Sequence, residues 1–373
     1  MAGSVTRRRF LADCARGGAL ALGSVAGVGC APSVEEAEVG DRPRPLGVAL
    51  VGLGYYASEL LAPALEVTER CRLVGVVTGS PAKAERWRRR WRLAESCLYN
   101  YETMHRLADN PDIDVVYIVT PPGLHAEHAV RAAEAGKHVI CEKPMARTVA
   151  ECDAILAACQ RAGVGLQVGY RLHYHAAMQE LGRMAREQVL GAPLSMSGGF
   201  GYPAGEKTWR MTQTLGGGGP LMDVGIYVIQ AACQMAGCAP VAVTAREEPK
   251  TRPDIFDEVE ETLHFTLEFP DGAQGTFETS FSRASGSFRT EGPNGFVELN
   301  PAFNYNGVRG RSHLGNLEIP DINQQAAQMD GFAADVLARR EPVASGAMGR
   351  RDMAIIEAIY AAARGGERVS VPR

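Results

Sequence analysis

Hydrophobic runs and their interruptions divide the chain into two unlike halves. Leu46–Val51 is a continuous apolar run, the pattern of a strand buried on both faces of a parallel sheet. The apolar runs at 73–78, 115–120, 138–141 and 164–169 repeat it. Between them, residues 58–66, 86–92, 101–109, 127–135 and 148–162 read as helices, with Gly136 and Gly163 placed to end two of these. Strand and helix alternate from 46 to 169, which predicts an α/β domain with a doubly wound parallel sheet. After Tyr170 the pattern changes. A helix at 176–188 leads into strand-like runs at 194–200, 241–247, 260–269, 273–282, 287–290, 296–299 and 304–309. Period-two alternation over 262–269 marks a sheet with one polar face, and helices at 324–340 and 350–364 close the chain. The second half is therefore expected to be an α+β domain on a large, mostly antiparallel sheet. Its apolar face needs cover, so a homodimer or homotetramer joined through that sheet is expected.

Directly after the first strand comes Gly52-Leu53-Gly54-Tyr55-Tyr56-Ala57. Gly52 permits a tight turn, Gly54 lets the backbone approach a pyrophosphate, and Ala57 allows close helix-to-strand packing. An ordinary glycine turn explains the same letters, but the strand-to-helix context favours a Rossmann dinucleotide site with phosphate on the helix N-terminus. The end of the second strand reads Thr78-Gly79-Ser80-Pro81-Ala82-Lys83, with no acid for the adenosine ribose. Small hydroxyls with Lys83 suit a 2′-phosphate, so NADP is expected over NAD. The fourth strand ends in Pro121-Pro122-Gly123-Leu124-His125, at the crevice edge where the cofactor's middle would lie. In Arg86-Trp87-Arg88-Arg89-Arg90-Trp91-Arg92 the two tryptophans stand at i and i+4, which reads as a core-facing pair with a solvated basic flank.

The N-terminus changes the picture of where the protein works. Arg7-Arg8-Arg9-Phe10-Leu11 precedes a mildly apolar stretch at 19–28, the order of a twin-arginine (Tat) export signal. Its roughly ten apolar or glycine residues are too few to anchor in a bilayer. Residues 1–31 are thus read as a signal peptide and 32–45 as an acidic, Pro-rich linker, which implies engagement of the Tat machinery and a periplasmic product. Gly29-Cys30-Ala31 reads as a cleavage site; a lipoprotein acylated at Cys30 is the other reading. The 373 residues, 46% hydrophobic and 22% charged, suffice for two cores without disulfides. A net charge of -4 leaves no electrostatic footprint for nucleic acid. The nine cysteines show no Cys-x-x-Cys, and His173 and His175 lack a carboxylate or thiolate at ligand spacing, so no metal site is expected.

Two stretches carry candidate chemistry. His138-Val-Ile-Cys-Glu142-Lys143-Pro144-Met145 sets a carboxylate, an amine and a rigid bend at a strand's carboxyl end, where open α/β sheets build their sites. Leu215 to Tyr227 contains four consecutive glycines followed by Asp223 and Tyr227, one helical turn apart on one face. Taken singly, each also reads as structural: an ion pair on a turn, and a helix with a polar edge. Together with Val168-Gly169-Tyr170-Arg171 and Trp209-Arg210, these segments and the glycine loop resemble the Gfo/Idh/MocA oxidoreductases over essentially the whole chain after the leader.

The resemblance implies a catalytic set of Lys143, Asp223 and Tyr227. It implies pyrophosphate contacts from Gly52, Leu53, Gly54 and Tyr56, adenosine-phosphate contacts from Thr78 and Lys83, and nicotinamide contacts from Glu142, Lys143, Trp209 and Arg210, with Pro121, His125 and Arg171 completing the cofactor's surroundings. Tyr55 and Pro122 depart from the family pattern, which has lysine and asparagine there. The implied activity is oxidation of an aldose at C1 to a lactone by tightly bound NADP, then reduction of a second small sugar's carbonyl at the same site. Tyr227 would be the acid/base, aided by Lys143 and the cationic nicotinamide, with Asp223 orienting the sugar hydroxyls and Lys143. Retention of the nucleotide suits an exported enzyme, because a periplasm has no free NADP pool. A simple NAD(P)-dependent aldose dehydrogenase or reductase, a redox-neutral glycoside hydrolase and a non-catalytic sugar-binding protein remain as alternatives.

Overall fold

The computed structural model describes residues 44–372; the expected signal peptide with Cys30, and the linker up to residue 43, lie outside the described residues. Six parallel strands form the first sheet: β1 (Leu46–Val51), β2 (Cys71–Val77), β3 (Leu98–Tyr99), β4 (Val115–Ile118), β5 (His138–Cys141) and β6 (Leu166–Val168), in the order β3-β2-β1-β4-β5-β6. The order reverses at β1, and β1 and β4 lie side by side with Val48 to Val51 opposite Val115 to Ile118. Every residue of β1 is buried, as a strand covered on both faces requires.

The covering helices start and stop where their caps dictate. A π-turn at Tyr56–Leu61 runs into α1 (Ala62–Leu65). Ser80 caps α2 (Pro81–Trp91) by accepting from the Lys83 N–H. Then follow α3 (His125–Glu134) and α4 (Val149–Ala162), the latter capped by Thr148 and ended by Gly163 at φ 66°. On α2 only Trp87 is buried, while Arg88 and Arg89 pair with Glu85 on the solvent side. Residues 101–109, read as an α-helix, form a 3₁₀ segment at Met104–Asp109.

After α5 (Ala176–Arg186) the chain builds a nine-stranded sheet. Its strands are β7 (Ser195–Gly201), β8 (Ala242–Glu247), β9 (Thr262–Glu268), β10 (Gln274–Ser280), β11 (Ser285–Gly292), β12 (Gly295–Leu299), β13 (Gly310–Ser312), β14 (Gly315–Asn316) and β15 (Val369–Ser370). Only β7 and β10 pair in parallel. The long helix α6 (Ile226–Ala236) and the closing helices α7 (Gln324–Leu337) and α8 (Gly346–Gly365) complete the fold. Among the described residues, no helix is long and apolar enough to cross a membrane, and the seven cysteines are free thiols, six of them buried.

Two expectations need correction, and one packing relation was not foreseen. Residues 304–309 do not form a strand: the carbonyls of Asn304 and Tyr305 accept from the Gln324 side chain, and that of Asn304 also from Arg171, so they are not spare for a ladder. Pairing resumes only at Gly310–Ser312. The apolar face of the second sheet is covered from within the chain, by α6 against β7 and β11 and by α8 against β8. The outer face is polar, with Arg283 pairing Glu248 and Glu278, so the reason given for oligomerisation does not hold. Finally, α7 is late in sequence yet packs on the first sheet, with Met329 and Phe332 in one buried cluster with Leu50, Tyr117 and Ile140.

Truncating Phe332 to alanine is expected to cost about 3–5 kcal/mol, read as a fall in the denaturation midpoint. A pH dependence follows from His128, buried beneath Tyr101 with its Nδ1 3.1 Å from Thr120 Oγ1. Burial pulls its pKa down to about 4, below the roughly 6.5 of an exposed histidine. The unfolded chain therefore binds more protons in that window, and stability present above about pH 6.5 is lost as pH falls through it. Urea midpoints at neutral pH and near pH 4.5 should differ less in His128→Gln than in the wild type.

Candidate active site

The carboxyl ends of β1, β4 and β5 meet α6 and the end of β7, and the candidate side chains gather there. Gly52, at φ 92°, is where the chain turns off β1; a Cβ there would lie 2.9 Å from Thr120 Cγ2 and 3.1 Å from Val119 C, so β4 leaves no room for a side chain. Gly54 is the opposite case. A Cβ there would meet nothing within 4 Å, which leaves open backbone at the mouth of the helix, a cradle fit for a phosphate. Leu53 between them is buried, whereas Tyr55 is exposed. At the far end, Thr78 is buried at the tip of β2 with Oγ1 accepting from Ser80 N–H, and Lys83 is exposed without an ion-pair partner among the described residues.

Lys143 is the centre of the arrangement. Its Nζ donates to the Asp223 carbonyl at 2.5 Å and to Asp223 Oδ1 at 3.2 Å, and lies 4.9 Å from the Tyr227 ring centroid. Burial works against the ammonium, but Tyr227, Asp223 and Glu142 outweigh it and hold the pKa above the usual lysine value. Asp223 is the mirror case. Burial would raise its pKa, yet Lys143, Arg210 and the Tyr202 hydroxyl keep it below the usual aspartate value. Arg210 Nε stands 3.3 Å from Asp223 Oδ2, the Tyr202 hydroxyl donates to the same oxygen at 2.9 Å, and the Arg210 guanidinium stacks 4.3 Å from the Trp209 ring. Asp223 sits on a π-turn, Leu221–Gly225, closed by Ile226 N–H donating to the Leu221 carbonyl, and Tyr227 follows on α6.

Tyr227 is walled by Phe200, Phe303 and the buried Arg171, whose guanidinium lies 5.1 Å from its ring and 4.3 Å from that of Tyr305. Arg171 donates to the carbonyls of Phe303 and Asn304 and to the Gln324 side chain, so it also holds the loop that carries Tyr305. Tyr56 turns its ring toward Tyr305, centroids 6.2 Å apart, and its hydroxyl toward Gln325 at 3.4 Å. Its side chain thus lies beside the Tyr227–Tyr305 cluster, leaving only its backbone for the expected pyrophosphate contact.

Glu142 lies beneath this cluster and not in it. Its carboxylate accepts from the Tyr117 hydroxyl at 2.8 Å and from Lys143 N–H at 3.2 Å, and Gln328 of α7 donates to that hydroxyl at 2.7 Å. Burial raises its pKa. Pro121 is half-buried at the end of β4. His125 departs from expectation: its ring nitrogens lie 2.9 Å from the Pro144 carbonyl and 2.7 Å from the Thr120 carbonyl. Both ring nitrogens face backbone carbonyls, so His125 braces the bend after Lys143 and leaves no ring nitrogen for a hydrogen bond to a cofactor. Tyr202, Phe200, Phe303 and Tyr305 were not singled out from sequence; they come from strand ends and a loop distant from both motifs.

Comparison with known proteins identifies the family. Residues 46–170 match the family model for an oxidoreductase family with NAD-binding Rossmann fold, and residues 178–297 that for a GFO/IDH/MocA C-terminal domain. The chain belongs to the Gfo/Idh/MocA oxidoreductase family. It is 42% identical to an aldose-aldose oxidoreductase from Caulobacter crescentus crystallised with glycerol, with a TM-score of 0.85 covering 88% of this chain and 100% of that one. It is 29% identical to a D-xylose 1-dehydrogenase [NADP(+)] of Haloarcula marismortui over 85% of this chain and 91% of the relative. A levoglucosan dehydrogenase structure with NADH and levoglucosan is 25% identical, with a TM-score of 0.75 over 88% of this chain and 100% of that one. The protein is thus an oxidoreductase with an NAD(P)-binding Rossmann fold.

The two glycines should respond differently to alanine. Gly52→Ala, strained by its positive φ and by Thr120, is expected to lower stability by about 1–3 kcal/mol. Gly54→Ala should leave the melting temperature unchanged and weaken nucleotide binding, measured by titration following nucleotide fluorescence.

Proposed function

We propose that the protein is an exported, NADP-dependent sugar oxidoreductase that oxidises an aldose at C1 to its lactone and reduces a second sugar carbonyl with the nucleotide it retains. The observation that carries the reading is the contact of Lys143 with Asp223 beside the Tyr227 ring, at the mouth of the glycine loop. When bound, the nicotinamide supplies the two-electron hydride acceptor and donor. Tyr227 takes the C1 hydroxyl proton as the C1–H bond gives up its electron pair, and returns a proton when the second carbonyl is reduced. Lys143, held as an ammonium, attracts the sugar oxygen on which negative charge develops. Asp223, held ionised, accepts hydrogen bonds from sugar hydroxyls and keeps Lys143 in place.

NADP is preferred to NAD because β2 ends in Thr78-Gly79-Ser80 with Lys83 exposed and no carboxylate for a ribose hydroxyl pair. The names of the Caulobacter and Haloarcula proteins support aldoses as substrates and, for the second, NADP. The reading includes export of the folded protein by the Tat route to the periplasm, tested by cell fractionation. It also includes pairing of copies through the polar outer face of the nine-stranded sheet, tested by sedimentation. A simple NADP-dependent aldose dehydrogenase is the second reading, favoured by the Haloarcula relative.

One experiment separates them. Protein purified without added nucleotide should carry bound NADP, turn it to NADPH on addition of aldose alone, and reverse on addition of a second carbonyl sugar. Release of the nucleotide and a need for fresh NADP at each turnover identify the simple dehydrogenase, and nitrophenyl glycoside hydrolysis with no net reduction of the bound nucleotide by aldose sinks the transhydrogenation reading. In Tyr227→Phe the nucleotide should stay bound while the rate of its reduction falls on the order of 10²–10⁴-fold.

A further inference from the structure

The glycines before Asp223 were expected to let the backbone come close to something crowded, and the structure says what that is. A Cβ on Gly218 would strike the Tyr360 hydroxyl, and one on Gly219 the Glu260 backbone carbonyl. Glu260 is 5% exposed and stands just before β9, with no lysine, arginine or histidine ion-paired to it among the described residues. Its Oε2 accepts from Gly219 N–H at 3.0 Å, and its Oε1 accepts from Leu221 N–H at 3.1 Å and from the Tyr360 hydroxyl at 2.9 Å. Thr279 of β10 donates to the Pro220 carbonyl at 2.9 Å between these two points. Both oxygens of a buried carboxylate thus face donors, and two of the three donors are backbone N–H groups at the start of the helix that carries Asp223 and Tyr227, the third being the Tyr360 hydroxyl of α8.

We propose that Glu260 is a positioning residue for the reaction: an acceptor-only clamp from the second sheet that sets where the Asp223 π-turn begins, and so where Asp223 and Tyr227 stand against Lys143. The chemistry requires a carboxylate and not merely a polar group. An amide presents one donor edge, and at either oxygen's place that edge faces a backbone N–H, which cannot accept. The unfilled ends of the helix concentrate positive potential there, which a fixed negative charge matches. Asp223 N–H donates to the Gly219 carbonyl at 3.2 Å, so a displacement of Gly219 passes directly to the residue that holds Lys143.

The neighbouring residue supplies the control. Glu261 is also buried, and its carboxylate accepts from Thr251 N–H at 2.6 Å, from the Thr251 hydroxyl at 2.6 Å, from Arg252 N–H at 3.1 Å and from the Ser282 hydroxyl, none of them on the catalytic helix. Glu260→Gln and Glu261→Gln therefore remove equivalent charges from adjacent buried sites. The measurement is single-turnover reduction of the retained nucleotide by saturating aldose, alongside nucleotide occupancy and the melting temperature. Both variants should melt lower and keep the nucleotide; only Glu260→Gln should slow the single turnover, on the order of 10²-fold, with little change in the aldose concentration giving half-maximal rate. Equal single-turnover rates in Glu260→Gln and wild type, or equal slowing in both variants, overturn the proposal. It rests on the redox reading above, and the two failures are distinct: if the wild type shows no aldose-dependent reduction, that reading falls, whereas a normal wild type with an unimpaired Glu260→Gln overturns only the clamp.

Discussion

Lys143 and Asp223 stand on elements that pack on different sheets, and their contact is the constraint on which the site depends. Lys143 leaves the end of β5 in the parallel layer, and Asp223 opens the helix lying on the nine-stranded sheet. The lysine donates to both the side chain and the backbone carbonyl of Asp223. A side-chain contact alone could follow a rotamer; the added carbonyl contact fixes the helix start itself. The pair is only 13% and 18% exposed at its side chains, so removing one member strands the other in a poorly hydrated place. Such a pair adds little net stability against an apolar replacement. What it gives is a single relative placement of an ammonium, a carboxylate and a phenol.

Each half then needs its own brace. On the β5 side, His125 spans the carbonyls of Thr120 and Pro144, and Glu142 is held by Tyr117, which Gln328 of α7 holds in turn. On the α6 side, Asp223 is shared by Arg210 and Tyr202. Arg171 ties β6 to the 303–305 loop while stacking on Tyr227 and Tyr305. The last helices of the chain are therefore part of the site's foundation although none of their residues reaches its centre. This is why the two halves, sequential in the chain, are not separable in packing.

The alternation of strands and helices from β1 to β6 was legible in the sequence because buried parallel strands read as unbroken apolar runs, and Gly136 and Gly163 mark stops that local chemistry alone enforces. That Lys143, Asp223 and Tyr227 stand together was legible because each sits in a compact motif. What was not legible depends on contacts far apart in sequence. Residues 304–309 read as a strand, yet Asn306-Gly307 favours a turn, and side chains from Arg171 and Gln324 capture the carbonyls of Asn304 and Tyr305. His125 was expected among the cofactor's surroundings, whereas its ring nitrogens face the backbone carbonyls of Pro144 and Thr120. Tyr202 and Tyr305 reach the site from positions with no periodic relation to it.

The two helices that carry the candidate site residues share one local departure that periodicity cannot reveal. The glycine-loop helix and the helix carrying Asp223 and Tyr227 both open with a π-turn, shown by Ala62 N–H donating to the Ala57 carbonyl and Ile226 N–H to that of Leu221. A π-turn inserts one residue, rotating what precedes it relative to the helix body. Counting i to i+4 from Asp223 put it on one face with Tyr227, yet the count crosses the end of the inserted turn at Gly225. The spacing therefore places both residues on one side but does not set the angle between them. That angle is fixed from outside, by Lys143 on the carboxylate and carbonyl of Asp223 and by Arg171 on the ring of Tyr227. The local irregularity supplies freedom in how the side chains point, and the long-range charged contacts remove it.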